Sequence, residues 1–339
     1  MTTPRVWFPA IRCGSGADVF TERLCAALNA QGIRAEITWL PHRAEYAPWS
    51  VPVPKPPAWA NVVHINSWLP QRFVPPGLPI VVTVHSSVHD PALLPYKSRL
   101  QALYHKHWIH PIEAANLARA HCVVAVSHYT AAQIEASFGI RDIQVIHNGI
   151  DCQAFTPIAR TAPNRPFRLL YVGNWSARKG VDLLGPIMER LGNGFLLQYT
   201  ADRNGAHTRF RLPPNSACLG RLAGKDLVRA YQEADALLFP SRLEGLPLVP
   251  LEAMACGLPV IAMRGTSVEE VVAHGKTGML CARDDIHAFA DAARSMAMDR
   301  QSSLEYGREA RRVVMARFQI SMMVDAYVRA YRKLLGDRP

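Results

Sequence analysis

Short apolar runs alternate with amphipathic helical patterns along most of this chain, and this alternation constrains the fold more than any other feature. In the first half the strand-like runs are "RVWFPA", "NVVHINS", "IVVTVHS", "CVVAVS" and "IQVIHN". A second series begins at "FRLLYVGN" and continues through "FLLQYT", "ALLFPS", "PVIAM" and "TGMLC". Apolar strands separated by helices are typical of parallel sheets with crossover helices. The sequence therefore predicts an α/β protein with two doubly wound domains.

A polar, proline-rich stretch without periodicity, residues 155–166, separates the two series and is predicted to be a linker. We place an N-terminal domain at residues 1–155 and a C-terminal domain at residues 167–318. Residues 319–339 are predicted to form a helix that packs back on the N-terminal domain. The apolar stripe of this helix consists of Met323, Val324, Tyr327, Tyr331, Leu334 and Leu335. Two such domains facing each other would hold a ligand at the carboxyl ends of their strands.

Composition narrows the possible partners. The chain of 339 residues carries a formal net charge of +11, which favours a phosphorylated ligand, an anionic membrane surface or nucleic acid. Nucleic acid is not expected, because the sequence has neither zinc-finger spacing nor an aromatic-basic RNA-binding signature. No apolar run approaches the roughly 18 residues of a membrane span, and the N-terminus lacks a signal-peptide pattern. The seven cysteines form no Cys-x-x-Cys pair, which indicates reduced thiols in a cytoplasmic protein without a metal site.

Two carboxylates stand eight positions apart in the apolar stretch "FPSRLEGLPLVPLEAMACGLPV". Pro250 is expected at the first position of a short helix and Gly257 at its stop, which puts Glu252 in the first turn and Glu244 in the preceding loop. The turn at residues 245–247 is expected to expose N–H groups that can hold an anion. Such a site suits a ligand with phosphates and sugar hydroxyls. The alternative is that Glu252 only complements the helix dipole, an effect of about 0.3–1 kcal/mol.

Two further turns between a strand and a helix are candidate anion sites. In "YVGNWSARKG", Arg178 and Lys179 stand where the chain enters a helix and would reinforce its positive end. Such a pair in a turn is otherwise simply solvated. In "RCGSGADVF", Gly14 and Gly16 would let a ligand approach the backbone closely.

Basic, histidine and aromatic residues are mixed in "YKSRLQALYHKHWIHP", residues 96–111, on a predicted helix. One interpretation is a face that lies on an anionic membrane or binds an acidic acceptor. The other is a solvated helix with a few packed aromatic side chains. The proline- and tryptophan-rich residues 41–60 before it are predicted to form a loop or excursion.

The string "FPSRLEGLPLVPLEAMACGLPVIA" resembles the E-x7-E signature of retaining glycosyltransferases of family 4, which have the GT-B fold. The strings "LARAHCVVAVSHYTAAQI", "VIHNGIDCQAFTP" and "YVGNWSARKGVDLL" also resemble segments of this family, in the same order. The similarity extends from about residue 5 to residue 335. It implies two Rossmann-like domains facing each other across a cleft.

The resemblance implies that the C-terminal domain binds a nucleoside-diphosphate sugar as donor. By motif position, Glu252 would accept hydrogen bonds from the ribose hydroxyls, and Glu244 would lie beside the donor sugar. The turn formed by Gly245, Leu246 and Pro247 would lie near the sugar or the diphosphate.

The expected diphosphate contacts include one departure from the family pattern. Arg178 and Lys179 match the basic positions that stabilise the leaving diphosphate. The family commonly has arginine directly after the strand glycine, where this chain has Asn174, so Arg178 is expected to take over that charge. The place where the family contacts the base through its backbone is occupied by Gly220, Arg221 and Leu222.

In the N-terminal domain, His85 in "VTVHSS" matches a family histidine at a strand end, near the donor sugar and the acceptor. His89 has no such match. The first glycine-rich turn of the family, which lies near the diphosphate and the acceptor, corresponds to Gly14, Ser15 and Gly16, and these residues are therefore expected to help bind the donor. The residues expected to act in catalysis are therefore His85, Arg178, Lys179 and Glu244.

The resemblance also implies the chemistry. The reaction would retain the anomeric configuration and would need neither metal nor cofactor, with a UDP-sugar favoured over a GDP-sugar as donor. From the basic aromatic stretch at residues 96–111, and not from the resemblance, we predict a glycan or lipid-linked acceptor for a bacterial-type surface polysaccharide. The enzyme is expected to act in the cytoplasm, with peripheral contact to an anionic membrane.

Three alternatives remain open at this point. One is another GT-B nucleotide-sugar enzyme, such as an epimerase or a phosphorylase-like enzyme. Another is a protein that binds a nucleotide sugar without turnover. A dinucleotide oxidoreductase is disfavoured, because Val19 stands where the third glycine of its motif belongs.

Overall fold

The computed structural model describes residues 2–159, 164–202 and 209–336, and the chain divides into two units. The first consists of the chain up to Gly149 together with the segment from Ile320 onward, and the second runs from Ile150 to Gln319.

The first unit is built on a parallel sheet. Its strands are β1 (Val6–Ile11), β2 (Ala35–Leu40), β3 (Val62–Asn66), β4 (Ile80–Val84), β5 (Cys122–Ala125) and β6 (Ile143–Val145). Their order in the sheet is β2-β1-β3-β4-β5-β6. The helices before residue 150 are α1 (Gly16–Ala30), α2 (Arg99–Tyr104), α3 (His110–Arg119) and α4 (His128–Phe138).

The second unit repeats this plan. Its strands are β7 (Phe167–Tyr171), β8 (Phe195–Thr200), β9 (Ser216–Gly220), β10 (Ala236–Phe239), β11 (Val260–Met263) and β12 (Gly278–Cys281). They are parallel, in the order β12-β11-β10-β7-β8-β9. The helices are α5 (Val181–Leu191), α6 (Gly224–Glu233), α7 (Leu248–Ala255), α8 (Val268–Val271), α9 (Ile286–Met298) and α10 (Arg300–Arg317).

The predicted α/β class with two doubly wound sheets is confirmed, and each run that the sequence predicted as a strand forms one. The sequence did not indicate β2 and β9. Both are edge strands whose residues are largely half-buried or exposed, so neither carries the continuous apolar run of a central strand. Within the described ranges, no helix combines the length and apolar composition needed to cross a membrane.

Strand order reverses at one place in each sheet, and this positions the candidate site. In the second sheet the reversal lies between the neighbouring strands β7 and β10. Ligands of doubly wound sheets bind beyond the carboxyl ends of the strands at such a point. The loops that leave these two strands, residues 172–180 and 240–247, contain Arg178, Lys179 and Glu244.

The last helix, α11 (Ile320–Leu334), packs in the first unit. Its buried tyrosines join a polar network under the sheet, in which the Tyr331 hydroxyl lies 2.6 Å from His64 Nδ1. His64 Nε2 lies 2.7 Å from Thr83 Oγ1, which in turn lies 3.0 Å from the Tyr327 hydroxyl. Helix and sheet are therefore joined by hydrogen bonds as well as by apolar contacts.

The stretch predicted as a linker lies within the second unit. Phe155 is buried, and its ring lies 6.2 Å from that of Tyr231. Of the predicted stretch, residues 160–163 lie outside the described residues, as do residues 337–339 at the end of the predicted last helix.

Acid is expected to destabilise the first unit, because folded His64 has to stay neutral. Burial, reinforced by the nearby His85, lowers the pKa of His64 from 6.5 to about 3. The unfolded chain therefore binds a proton at a higher pH than the folded chain. The stabilisation is complete above pH 6.5 and falls by about 1.4 kcal/mol per pH unit as the pH drops toward 3. Urea titrations should show a free energy of unfolding about 2 kcal/mol lower at pH 5 than at pH 7 from this group alone.

A variant comparison isolates this contribution from that of other acid-sensitive groups. His64→Gln removes the titrating ring and should flatten the pH dependence relative to the native chain. The same change at the exposed His107 should leave the dependence as it is. An unaltered slope in His64→Gln would contradict the assignment.

Candidate active site

Polar contacts join the loops that follow β7 and β10 to each other. The backbone N–H of Arg242 donates to the carbonyl of Arg178 at 2.9 Å, and Arg178 Nη1 donates to the carbonyl of Leu243 at 2.9 Å. Lys179 Nζ lies 2.5 Å from Glu244 Oε1. The structure thus brings Glu244 next to Arg178 and Lys179, from which it is distant in sequence.

Glu244 is buried and ionised. Its Oε1 accepts hydrogen bonds from Lys179 Nζ and, at 2.6 Å, from Ser241 Oγ. Burial by itself raises the pKa of this carboxyl group, but the cations of Lys179 and Arg178 and the hydrogen bonds outweigh it and hold the pKa below its usual range. The site therefore presents two cations and one fixed carboxylate beyond the carboxyl ends of β7 and β10.

Arg242, which the sequence analysis missed, fixes the geometry of both loops. Its buried guanidinium binds both carboxylate oxygens of Asp182, at 2.6 and 2.8 Å, and Asp284 Oδ1 at 2.6 Å. It also donates to the carbonyl of Ala177 at 2.5 Å, directly before Arg178. An arginine in an otherwise apolar stretch is the signal that points to such a network, since a buried guanidinium requires charged partners.

Gly180 follows Lys179 and lies directly against Pro240 of the other loop. Its φ of +69° lies in the left-handed region, and a Cβ atom at this position would lie 2.0 Å from the carbonyl oxygen of Pro240. Both conditions exclude other residues without displacement of the backbone. Glycine here allows the turn with the two cations to lie against the loop with Glu244.

Glu252 lies one turn into α7, so its predicted place in the first turn was wrong. The helix begins at Leu248, and Pro250 is its third residue, which is tolerated because the first N–H groups of a helix have no partner within it. The dipole explanation therefore fails, since that effect fades beyond the first turn. Instead, Glu252 is buried, and its Oε2 accepts a hydrogen bond from the Tyr231 hydroxyl at 2.9 Å. The predicted stop is confirmed, because Gly257 follows the helix with φ +71°.

The turn between the two glutamates differs from the expected open anion site. Gly245, Leu246 and Pro247 are all buried. The N–H groups that the sequence analysis expected to be exposed are therefore enclosed by protein. The compact packing of this turn holds Glu244 and Glu252 on either side of it.

The other donor residues predicted in the second unit lie at or just after the ends of β7 and β9, the two strands that flank β8. Asn174 follows β7, is exposed, and accepts a hydrogen bond from the Tyr171 hydroxyl through its carbonyl at 3.0 Å. Gly220 ends β9 with φ +76°, and the exposed Arg221 after it forms an ion pair with Asp202. Leu222 is half-buried.

In the first unit, His85 directly follows β4. Its Nε2 lies 2.9 Å from Asn66 Oδ1 at the end of β3, and its ring packs on Phe20 with the centroids 4.6 Å apart. Burial lowers the pKa of His85 to about 4, although Asp18 acts in the opposite direction. The imidazole is therefore neutral at physiological pH.

The glycine-rich turn before α1 is occupied by a carboxylate of its own chain. Asp18 Oδ2 accepts the N–H groups of Cys13 and Gly14, at 2.9 and 2.7 Å, and its Oδ1 accepts the Ser15 hydroxyl at 3.0 Å. Gly14 has φ +68°, and there is open space beside Gly14 and Gly16 where a side chain would stand. The turn thus leaves room for a ligand, but the N–H groups of Cys13 and Gly14 already donate hydrogen bonds to Asp18.

Comparison with known proteins identifies the family. A family model described as "Glycosyltransferase Family 4" matches residues 58–154, and one described as "Glycosyl transferases group 1" matches residues 166–299. The two models fall on successive parts of the chain, and the second includes both candidate loops and both glutamates.

Relatives that match about four fifths of this chain agree with these family matches. A glycogen synthase of Mycobacterium tuberculosis is 27% identical over 300 residues, which are 80% of this chain and 68% of that protein. A GDP-mannose:cellobiosyl-diphosphopolyprenol alpha-mannosyltransferase of Xanthomonas campestris is 25% identical over 302 residues, 82% of this chain and 75% of that protein.

Solved structures share the fold. A sucrose-phosphate synthase from Thermosynechococcus elongatus superposes with a TM-score of 0.80 at 19% identity, covering 98% of this chain and all of that one. The Anabaena protein HepE, solved with UDP and glucose, gives a TM-score of 0.72 at 17% identity, covering 97% of this chain and all of that one. With the two matching sheets and the family matches on both halves, the chain belongs to the GT-B glycosyltransferases of family 4.

Proposed function

We propose that this glycosyltransferase moves a sugar from a nucleoside diphosphate to a glycan or glycolipid acceptor, with retention of configuration, in the synthesis of a bacterial-type surface polysaccharide. The observation that carries the proposal is the pair of cations, Arg178 and Lys179, held beside the buried Glu244 at the switch point of the second sheet. Cations fixed in a partly buried site are suited to a departing diphosphate.

The proposed chemistry follows from where charge develops. As the bond to the sugar breaks, negative charge grows on the diphosphate and positive charge on the sugar ring. Arg178 and Lys179 stabilise the negative charge on the diphosphate. The carboxylate of Glu244 is suited to accept hydrogen bonds from sugar hydroxyls and to stabilise the positive charge on the ring. Because these charges belong to the chain itself, the proposed reaction needs no metal and no cofactor. On the acceptor side we assign His85, a neutral imidazole able to donate or accept a hydrogen bond.

The donor is proposed to be a UDP-sugar. HepE, which shares the fold, was solved with UDP and glucose, and this supports the choice. The Xanthomonas relative is named for GDP-mannose, so the base has to be tested directly. Glu252 is proposed to hold the ribose hydroxyls, with its orientation set by Tyr231.

The acceptor is proposed to be lipid-linked, and the enzyme to work in the cytoplasm at the membrane surface. The Xanthomonas relative is named for a diphosphopolyprenol acceptor, which supports the first part. Of the predicted helix at residues 96–111, the part from Arg99 onward is continuous and consists of α2, a π-helical turn and the start of α3. It exposes Leu100 and Leu103 next to the basic Arg99 and Lys106, a combination that suits an anionic bilayer.

The membrane contact predicts a measurable partition. Vesicles that contain anionic lipid should retain the protein at low salt, and the double variant Leu100→Glu, Leu103→Glu should bind at least about tenfold more weakly. Met298→Glu, which changes an exposed apolar residue of the second unit, serves as the control. Equal retention of all three proteins would contradict the contact.

Calorimetric titration with UDP, GDP, ADP and NAD, without metal, tests the donor site. We expect one nucleoside diphosphate to bind, and Glu252→Gln to weaken it by about 10- to 100-fold, because a charged acceptor of hydrogen bonds is lost. Tyr231→Phe should weaken binding less, since it frees the carboxylate without removing it. Glu305→Gln, at an exposed position of α10, is the matched control.

Three outcomes would contradict the donor site. One is the absence of binding by any diphosphate. Another is binding that Glu252→Gln leaves unchanged. Binding of NAD alone would instead point to dinucleotide chemistry.

A further inference from the structure

We propose that the first unit contains a Zn²⁺ site formed by Cys13, His42 and Glu45. Cys13 stands in the loop that leaves β1, and the other two stand in the loop that leaves β2. These strands are parallel neighbours, so both loops emerge at the same edge of the sheet. The three ligand atoms lie within 4.8 Å of one another.

The distances fit a tetrahedral ion after a small adjustment. Cys13 Sγ lies 3.5 Å from Glu45 Oε2, and His42 Nε2 lies 3.9 Å from the same oxygen. Zinc bonds of about 2.0–2.3 Å at tetrahedral angles separate neighbouring ligand atoms by roughly 3.3–3.7 Å. Closing the three atoms onto one ion therefore requires a movement of about 1 Å, which the exposed His42 side chain can supply by rotation.

Glu45, whose Oε2 lies near both Cys13 and His42, is already held in place by hydrogen bonds. Glu45 Oε1 accepts a hydrogen bond from the Tyr104 hydroxyl at 2.9 Å, and its backbone carbonyl accepts one from Trp108 Nε1 at 2.8 Å. This arrangement turns Oε2 toward both Cys13 and His42. Hydrogen bonds from outer residues that orient a ligand are typical of built metal sites.

Local charge and ligand type favour zinc. Glu45 Oε2 lies 3.5 Å from the Cys13 thiol, and Asp18 accepts the backbone N–H of the same residue, so a divalent cation at the thiol would offset nearby negative charge. A sulfur, a nitrogen and an oxygen ligand suit Zn²⁺, whereas Mg²⁺ and Ca²⁺ prefer oxygen throughout. Binding replaces the thiol proton, which passes to solvent, and leaves a fourth position for water.

The ion would act as a clamp within the first unit. It would join the glycine-rich turn at residues 14–16 to the excursion at residues 42–46, and through Tyr104 to α2. The site belongs to the first unit, whereas the proposed diphosphate contacts belong to the second, so it stands independently of the proposed metal-free transfer.

Cobalt substitution gives a readout that does not depend on activity. The full chain, stripped with a chelator, is titrated with Co²⁺ while its absorption is recorded. We expect one equivalent to produce a thiolate-to-cobalt charge-transfer band, which Zn²⁺ then removes. Cys13→Ser should abolish the band, and His42→Ala and Glu45→Gln should each weaken binding at least tenfold.

Matched variants exclude binding elsewhere on the surface. Cys218→Ser and His107→Ala change an exposed cysteine and an exposed histidine outside the cluster and should leave the titration unchanged. The proposal is overturned if the native chain gives no thiolate band. It is also overturned if the band survives in Cys13→Ser or disappears in Cys218→Ser. Circular dichroism of each variant shows that the comparison is made on folded protein.

Discussion

Lys179→Ala should slow sugar transfer by about 100- to 1,000-fold, because it removes one of two fixed cations from the proposed diphosphate site. The effect should fall mainly on kcat, since the charge on the leaving group is greatest in the transition state. Steady-state rates at saturating donor, with product quantified directly, measure it. Lys276→Ala, at an exposed position of the same unit, is the control.

The same change also affects stability, and this has to be separated from catalysis. Without Lys179, the buried Glu244 loses its closest cation, although Arg178 and the Ser241 hydroxyl still favour its charge, and breaking a buried ion pair costs about 3–5 kcal/mol. The double variant Lys179→Met, Glu244→Gln removes both charges and should recover much of that loss while staying inactive. Full activity in a folded Lys179→Ala protein would refute the assigned role.

Gly180→Ala should destabilise the second unit by about 2–5 kcal/mol and abolish transfer. The added Cβ would lie 2.0 Å from the Pro240 carbonyl oxygen, and alanine is strained at φ +69°. The loop must shift, which displaces Arg178 and Lys179 from Glu244. Urea unfolding and transfer assays should therefore both report the change.

A substitution at a second glycine distinguishes the cost of the backbone conformation from the cost of the steric clash with Pro240. Gly275 has the same φ of +69°, but a Cβ atom there meets nothing within 4 Å. Gly275→Ala should therefore cost only about 1–2 kcal/mol, the price of the backbone conformation. If the two alanine variants lost equal stability, the close approach at Pro240 would not matter.

The sequence predicted the central strands well because burial on both faces leaves a continuous apolar run. β4, "IVVTV", is buried throughout. The edge strand β2, "AEITWL", has exposed and half-buried positions, and its pattern does not stand out from that of a loop. Local pattern therefore detects the centre of a parallel sheet better than its edges.

The candidate site was predictable where a motif is local and was missed where contacts are distant in sequence. Glu244 and Glu252 stand in one short motif. Arg242 stands in the same motif, but its two partners, Asp182 and Asp284, lie far from the motif along the chain. The start of α7 was predicted two residues too late. Proline is tolerated at any position of the first turn of a helix, so Pro250 indicates that a helix begins nearby but does not fix its first residue.

The location of α11 has a consequence for how this protein is made. The six strands of the first sheet leave the ribosome long before Ile320 is synthesised. The surface that α11 covers therefore stays uncovered while residues 150–319 are synthesised. During that interval His64 and Thr83 lack the hydroxyls of Tyr327 and Tyr331, and apolar surface is exposed to other nascent chains. A fragment that ends at Gly149 would remain in this state permanently. Premature termination near the C-terminus should therefore yield aggregation of the N-terminal half rather than a merely shortened enzyme.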